Sequence, residues 1–376
     1  MKIAVIGSSG EIGSRLAIEL IQQKRNVHLF SRNLGLRLNR FDNVNFTSID
    51  LLDKVKLKSE LQGFDCIVNC AIDKREYKTE DESVEKNKEA ILNLLQVASE
   101  NGVKKFIELS SVAVLPPKIT REIKEKPYEY SKETDWYTRA KIENEKLALG
   151  YQDKMKVSVI RAGIVYGPYL HWSKLAFIRT QSKTVVLPNI SESFCHAIHV
   201  DDLVGLILHT IDKESSLNFK LIYGINPEKV SWQEYYDGHG KNVNIEQQTT
   251  QIVSLDEINL MNRIQGDELR RPGLKRTIID TARSAVSMIP APLKRNKITQ
   301  RFLHKLKAMN YGLINYDSYL NPKKAIQLPK VYPNSFELDL YQTDYIPESN
   351  TDYEFKRNFK TGAKSAVSWW LKSTRK

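Results

Sequence analysis

Lys2-Ile-Ala-Val-Ile-Gly7 is a short apolar run that ends on glycine, and Ser8-Ser-Gly10-Glu-Ile-Gly13 follows it directly. From Ser14 to Ile21 the apolar residues Leu16, Ala17, Leu20 and Ile21 recur at helical spacing. Strand, glycine turn and helix in that order build a phosphate cradle. Glycine permits the angles of a tight turn and puts no Cβ between backbone and ligand. The free N–H groups and the positive dipole end of the following helix then face an anion. Gly7, Gly10 and Gly13 are spaced G-x-x-G-x-x-G, a variant of the dinucleotide fingerprint. An ordinary strand-to-helix turn is the competing reading, and the motif's place between strand and helix weighs against it. Ser9, Glu11 and Ile12 belong to the same expected cofactor contact.

The segments that follow continue the alternation. Val27 to Phe30 reads as a second strand, Asn45 to Ile49 as a third and Cys66 to Cys70 as a fourth. A helix with Val84, Ala90, Ile91, Leu94, Leu95 and Ala98 on its apolar side stops at Gly102. Phe106 to Leu109 is a fifth strand, and Ser110-Ser111 close it. Alternating strands and helices predict an α/β fold of the Rossmann type, with a doubly wound parallel sheet that binds ligands at the carboxyl ends of its strands. The glycine turn, Arg32, Asp50, Ala71 and Ser111 all fall at such ends. The end of the second strand chooses between cofactors. An acid there binds the ribose hydroxyls of NAD, but this chain has Ser31-Arg32-Asn33. A guanidinium grips phosphate in a planar fork, so Arg32 favours NADP over NAD. Asp50, followed by Leu51, stands within reach of an adenine edge.

Composition narrows the classes. With 41% hydrophobic and 27% charged residues, the 376-residue chain reads as a globular protein of one large or two modest domains. No apolar run approaches the roughly 20 residues of a membrane helix, and the first strand is not a signal peptide, so a cytoplasmic protein is expected. Three cysteines give no disulfide framework, and Cys66 and Cys70 read as buried thiols. The net charge of +12 is concentrated. Residues 270–310 hold eleven Lys or Arg against the single acid Asp280, which supplies +10 of it. With no interleaved aromatics or nucleic-acid motif, nucleic acid ranks last as a partner.

Tyr137-Thr-Arg-Ala-Lys141 opens a helix that continues through Glu143, Leu147 and Leu149. Residues four apart share a helix face, so Tyr137 and Lys141 point the same way. A free tyrosine has a pKa of about 10, too high for a base near neutrality. A nearby ammonium favours the phenolate. Such a tyrosine takes a proton from an alcohol while hydride leaves for a nicotinamide, and Ser111 is placed to hold the same oxygen. The bland alternative is a surface Tyr and Lys on an amphipathic helix. The glycine turn and the strand-end serine upstream argue for the catalytic reading.

With these residues in place the chain resembles the extended short-chain dehydrogenase/reductase family, which holds nucleotide-sugar epimerases and dehydratases. The resemblance rests on Gly7-x-x-Gly10-x-x-Gly13, Asp50-Leu51, Asn69-Cys-Ala71, Asn87, Ser110-Ser111, Tyr137-x-x-x-Lys141, Arg161-Ala-Gly-Ile-Val-Tyr-Gly-Pro168 and His199-Val-Asp-Asp202, and covers about residues 1–235. It implies Ser111, Tyr137 and Lys141 as the catalytic trio, with Lys141 also holding the nicotinamide ribose. Asn87, Ala162 and Val165 join the expected cofactor contacts, and Tyr166 and Arg179 the expected substrate contacts. The same resemblance carries residues 161–168 from a sheet strand into the substrate cleft. Two departures matter. Val112-Ala113 replace the acidic pair that dehydratases carry after the catalytic serine or threonine, which disfavours dehydration. Cys195 stands about where many relatives carry an arginine for the substrate diphosphate, so either the substrate carries no nucleotide diphosphate or its grip moves to Arg179, Lys183 or the basic segment. His196 and His199 have no third ligand nearby and read as structural, so no metal is expected.

Phe219 to Tyr223 reads as a strand, and Ser231-Trp-Gln-Glu234 as a capping box. Residues 275–288 and 298–309 read as basic amphipathic helices, either packed on the substrate domain or docked on anionic lipid. Residues 311–350 read as irregular wrapping, and residues 359–371 as the family's closing helix with its tryptophans in the core. The expected domains are 1–165 with about 195–212 for the cofactor, and 166–194 with 213–376 for the substrate. The expected function is reversible hydride transfer on a nucleotide-linked or otherwise activated sugar, by an epimerase of polysaccharide or glycoconjugate biosynthesis. An NADPH-dependent keto-sugar or other carbonyl reductase is the first alternative, and a non-catalytic NAD(P)-binding regulator or scaffold the second. A homodimer and a peripheral contact of residues 270–310 with an anionic membrane complete the expectations.

Overall fold

The structure is a computed structural model. It describes residues 1–253, apart from 36, 43, 116–128, 131–133, 182–183, 189–193, 215–217 and 241–248, together with residues 351–374. Its centre is a seven-stranded parallel sheet. The strands are β1 (Ile3–Ile6), β2 (Val27–Ser31), β3 (Phe46–Ser48), β4 (Cys66–Asn69), β5 (Lys105–Ser111), β6 (Lys156–Ala162) and β11 (Phe219–Gly224), in the order β11-β6-β5-β4-β1-β2-β3. Ile3 pairs with Val27 on one side and with Cys66 on the other. The chain therefore runs outward from β1 through β2 to β3, then returns to β4 and runs the opposite way. That reversal opens a crevice at the carboxyl ends of β1 and β4.

Both faces of the sheet are covered, which is why its strands are continuous apolar runs. Side chains alternate along β1, so Ile3 and Val5 face one core while Ala4 and Ile6 face the other. The first core takes Leu16, Ala17 and Leu20 of α1 (Glu11–Gln22) and Leu203 and Ile207 of α6 (Val200–Asp212). The second takes Leu57 of α2 (Lys54–Glu60), Ile91, Leu94, Leu95 and Ala98 of α3 (Glu80–Glu100), and Ala148 of α4 (Trp136–Leu149). The Thr79 hydroxyl caps α3 by accepting from Glu82 N, and Glu80, Asp81 and Glu82 complement its dipole. Gly102, at φ +72°, follows its end, where the apolar pattern stops.

A smaller set of elements sits over the crevice: β7 (Ile164–Tyr166), α5 (His171–Gln181), β8 (Thr184–Pro188), β9 (Phe194–Cys195), β10 (Ala197–His199), β12 (Val230–Ser231), α7 (Trp232–Gly240), β13 (Thr249–Val253) and α8 (Phe359–Thr374). They form three two-stranded sheets, β10-β7, β12-β9 and β13-β8. Trp232, Tyr235, Tyr236, Tyr166 and Phe359 make their core. The capping box forms as expected, with Glu234 N donating to Ser231 Oγ at 3.1 Å and Ser231 N to Glu234 Oε2 at 2.8 Å. Residues 352–357 lie along α6. The Asp202 carboxylate accepts from Lys356 N and Arg357 N at 3.0 and 3.1 Å, and Arg357 pairs with Asp201 at 2.8 Å.

One expected boundary shifts. β11 lies in the stretch 213–376 assigned to the substrate domain, yet it pairs with β6 from Phe219↔Val157 to Gly224↔Ala162 and completes the central sheet. Its apolar run fits a strand buried in a parallel sheet, and α6 supplies the crossover that such a strand needs. The basic helices of 270–310, their membrane contact and the stretch 311–350 lie outside the described residues. No helix among the described residues is long and apolar enough to cross a membrane.

Candidate active site

The crevice holds a cavity of about 1160 Å³. Its first wall is the glycine turn. Gly7 sits at φ +76°, and a Cβ there would lie 2.7 Å from Ala71 N, so the turn packs directly on the end of β4. A Cβ on Gly13 would collide with Gly7 O, so Gly13 serves close packing of α1 on the turn and does not line the cavity. Gly10 caps α1 with no side-chain hydrogen bond, which leaves the first-turn amides to a ligand. Gly7, Ser9, Gly10, Glu11 and Ile12 all line the cavity. Backbone pressed this tightly, with no side chain above it, fits the pyrophosphate of a dinucleotide.

The second wall is the end of β2 and β3. Ser31, Arg32, Asp50 and Leu51 line it. The Arg32 side chain is half exposed and faces Asp73 at 3.5 Å. Asp50 is engaged differently from expectation. Arg75 holds it with Nη1 to Oδ2 at 2.7 Å and Nη2 to Oδ1 at 3.2 Å, and the same guanidinium donates through Nε to Asp73 at 2.7 Å. Hydrogen bonds from Arg75 and Tyr77 hold the Asp73 carboxyl below its ordinary range against the opposing effect of burial. Asn87 accepts from Asp73 N and donates to Asp73 O, so its amide fixes this loop.

The third wall carries the reactive groups. Asp135 caps α4, its Oδ1 accepting from Tyr137 N and Thr138 N at 2.9 and 3.1 Å, so the cap places Tyr137 in the first helical turn. Tyr137 and Lys141 both line the cavity, one helical turn apart. Ser111 ends β5 and lines it too. Its Oγ accepts from Ala113 N at 3.2 Å, which leaves the hydroxyl proton to donate. Lys141 is 4% exposed, and its Nζ donates to Leu109 O at 2.6 Å.

Beneath these groups lies a buried polar layer that the sequence did not announce. Glu108 is fully buried. It accepts from Asn69 Nδ2 at 2.6 Å, Asn144 Nδ2 at 3.2 Å and Lys141 Nζ at 3.4 Å. Burial pushes its carboxyl up, and Lys141 and the two amides oppose that. Beside it, Glu145 accepts from Ser110 Oγ at 2.6 Å and pairs with Arg161 at 2.7 Å. The only hint in the sequence is a glutamate inside the apolar strand Phe106-Ile-Glu-Leu109.

Ala71, Asn87, Ala162 and Val165 line the cavity, and so does Arg179, whose Nη1 donates to Tyr236 OH at 2.7 Å. Trp136, His171, Trp172 and Leu175 also line the cavity, and His171 N donates to Glu11 Oε2 at 3.1 Å. Tyr166 is a correction. It is 1% exposed and turns away from the cavity into the aromatic core, between His199, Tyr235, His239 and Phe359. Val165 packs with the core of β1 and α1, whereas Tyr166 packs with Trp232, Tyr235 and Phe359. His199 is structural. Its ring caps α6 by accepting from Asp201 N at 3.2 Å. Among the described residues no group of three His, Cys, Asp or Glu is placed to hold a metal. Cys66 and Cys70 are free thiols that burial pushes up to about 12.

Comparison with known proteins agrees with this geometry. The model of the NAD dependent epimerase/dehydratase family matches residues 3–223. UDP-glucose 4-epimerase of Vibrio cholerae is 27% identical over 227 residues, which are 57% of this chain and 68% of that protein. Human sterol-4-alpha-carboxylate 3-dehydrogenase, decarboxylating, is 26% identical over 247 residues, 61% of this chain and 63% of that protein. The solved structure of MoeE5 in complex with UDP-glucuronic acid and NAD shares the fold. Its TM-score is 0.55 at 19% identity, covering 68% of this chain and 86% of that one. The glycine turn, the strand-end serine and the Tyr-Lys pair on one crevice, together with these matches, establish that the chain belongs to the NAD dependent epimerase/dehydratase family, as an enzyme of the extended short-chain dehydrogenase/reductase type.

Proposed function

We propose that the protein catalyses reversible hydride transfer at a carbinol of a nucleotide-linked sugar, as an NADP-dependent epimerase or oxidoreductase. The observation that carries this reading is that Ser111, Tyr137 and Lys141 line one cavity with the glycine turn. A bound nicotinamide cofactor supplies the hydride acceptor and donor. Around it the chain's own groups divide the work. The turn from Gly7 to Ile12 and the first amides of α1 hold the pyrophosphate. Lys141, anchored on Leu109 O, presents an ammonium beside Tyr137. The Tyr137 oxygen takes the proton of the substrate hydroxyl and returns it in the reverse direction. Ser111 donates to the same substrate oxygen and fixes its angle. Arg179, which lines the same cavity, is the cation for the substrate's anionic carrier, and Trp136 and Trp172 offer flat faces for a sugar or base.

Arg32 supports NADP. No acid ends β2, and Arg75 offsets one of the two carboxylate charges, Asp50 and Asp73, that would repel a 2′-phosphate. The same arginine favours a net reductase as the second reading, since an NADPH-consuming enzyme releases its cofactor each turnover. The name of the V. cholerae relative favours the epimerase, as does UDP-glucuronic acid in the MoeE5 structure. Val112 and Ala113 after Ser111 favour neither acid nor base for dehydration.

The test is to incubate the purified protein with UDP-glucose and with UDP-glucuronate, with NADP⁺ and with NAD⁺, and to follow sugar stereochemistry by NMR and absorbance at 340 nm. Interconversion without net absorbance change supports the epimerase. Stoichiometric cofactor turnover supports the oxidoreductase. Dinucleotide binding with turnover of neither sugar removes these two substrates. An unchanged biological activity in Tyr137→Phe replaces catalysis with a regulatory or scaffold role.

A further inference from the structure

The Tyr137 and Lys141 pair accounts for the chemistry but not for what lies under it. Glu108 is a full negative charge candidate in the middle of a parallel sheet, 0% exposed, where β5 otherwise reads as core. Placing a carboxyl there is costly unless every oxygen is satisfied. Here each oxygen is. Oε2 accepts from Asn69 Nδ2 at 2.6 Å, and Oε1 accepts from Asn144 Nδ2 at 3.2 Å and from Lys141 Nζ at 3.4 Å. All three partners are donors and none can accept the proton of a carboxylic acid through these atoms. The donor set therefore matches an ionised carboxylate facing an ammonium.

The geometry points to Glu108 as the positioning residue of Lys141, and to the Asn69-Glu108-Asn144 layer as the support that holds its ammonium at the nicotinamide end of the cavity. The inference rests on the dinucleotide reading of the cavity. A lysine has three N–H groups on a flexible stem, and fixing it costs up to about 2 kcal/mol of rotamer freedom. Leu109 O takes one hydrogen and Glu108 Oε1 takes a second, both from below. The third is left to the cavity that Lys141 lines. Two acceptors from adjacent residues of one strand thus aim the ammonium. The layer also reaches the other end of the site. Asn69 Oδ1 accepts from Ala71 N at 3.1 Å, and Ala71 N is the atom on which Gly7 packs. One side chain, Asn69, therefore joins the phosphate turn to the carboxylate that holds the lysine.

The test uses the full chain and needs no sugar. Dissociation constants are measured by calorimetry for NADP⁺ and for adenosine 2′,5′-bisphosphate, and in parallel for NAD⁺ and ADP. The half-molecules touch only the turn and the adenosine wall, whereas Lys141 meets only the whole dinucleotide. Glu108→Gln is expected to weaken the dinucleotide about tenfold and to leave the half-molecule unchanged, as expected for loss of a charge-assisted bond. In a Lys141→Met background the same change is expected to add nothing. Asn144→Ala, which removes one donor and no charge, is expected to act in the same direction and more weakly, and serves if Glu108→Gln does not fold. Equal losses for whole and half-molecules, no loss for the dinucleotide, or additive effects with Lys141→Met would overturn the inference. If the wild type binds no dinucleotide, the reading of the cavity itself fails.

Discussion

Arg161 and Glu145 form an ion pair in which both side chains are fully buried, with Nη2 2.7 Å from Oε2. Nε donates to the same carboxylate at 3.0 Å, and Arg161 Nη1 donates to Tyr223 OH at 3.0 Å. The pair joins β6 to α4, the helix that carries Tyr137 and Lys141. Removing one partner strands a charge in the core. Glu145→Ala is expected to destabilise the fold by about 3–5 kcal/mol, read from the midpoint of urea unfolding by circular dichroism.

In the proposed reaction Tyr137 carries the proton. Tyr137→Phe is expected to bind dinucleotide normally and to lose hydride transfer by a factor of about 10²–10⁴. A stopped-flow trace at 340 nm with the accepted sugar measures this. Retention of most of the rate would exclude Tyr137 as the acid/base.

Arg32 is expected to set cofactor choice. Arg32→Ala removes a half-exposed guanidinium whose ion pair with Asp73 is long, 3.5 Å, so the fold should not suffer. The affinity for NADP⁺ is expected to fall about tenfold or more, with NAD⁺ little changed. A comparison of the two dissociation constants by titration calorimetry decides it.

His239 makes stability depend on acid. It is buried between Tyr235 O at 2.8 Å and Ser173 Oγ at 3.3 Å, and burial lowers it from 6.5 to about 4. His196 and His199 are lowered to about 4 for the same reason. Between those two values the unfolded chain binds protons that the folded chain refuses. Stability is therefore fully present above about pH 6.5 and is lost as the pH falls toward 4. Unfolding midpoints measured from pH 7 to pH 4 should fall steadily, and His239→Gln should flatten the slope. A midpoint independent of pH across that window would rule these histidines out as its source.

The glycine turn that lines the cavity was legible in the sequence because its parts are local. A glycine turn, a strand and a helix lie within twenty residues, and each obeys a short-range rule. Tyr137 and Lys141 were visible for the same reason, four residues apart on one helix. Glu108 was not, because its meaning comes from Asn69 on β4 and from Lys141 and Asn144 on α4, which two separate segments bring to it. The Arg75 bridge between Asp50 and Asp73 was not legible for the same reason, although Asp50 does line the cavity. Tyr166 packs into the aromatic core of Tyr235 and Phe359, which residues distant in the chain build around it. The strand β11 was recognised, but its membership in the sheet depends on a crossover by α6 that no local pattern encodes.

The reversal of strand order between β1 and β4 has a kinetic consequence. The cavity takes residues from Gly7 through Arg179, so its walls are distant in the chain and close only once the sheet from β2 to β6 has assembled. Contacts of such sequence separation form late and slowly. No early fragment presents a complete binding surface, and a dinucleotide distinguishes the finished fold from every partial one. Bound ligand should therefore slow unfolding of the whole sheet domain and leave the first steps of refolding untouched.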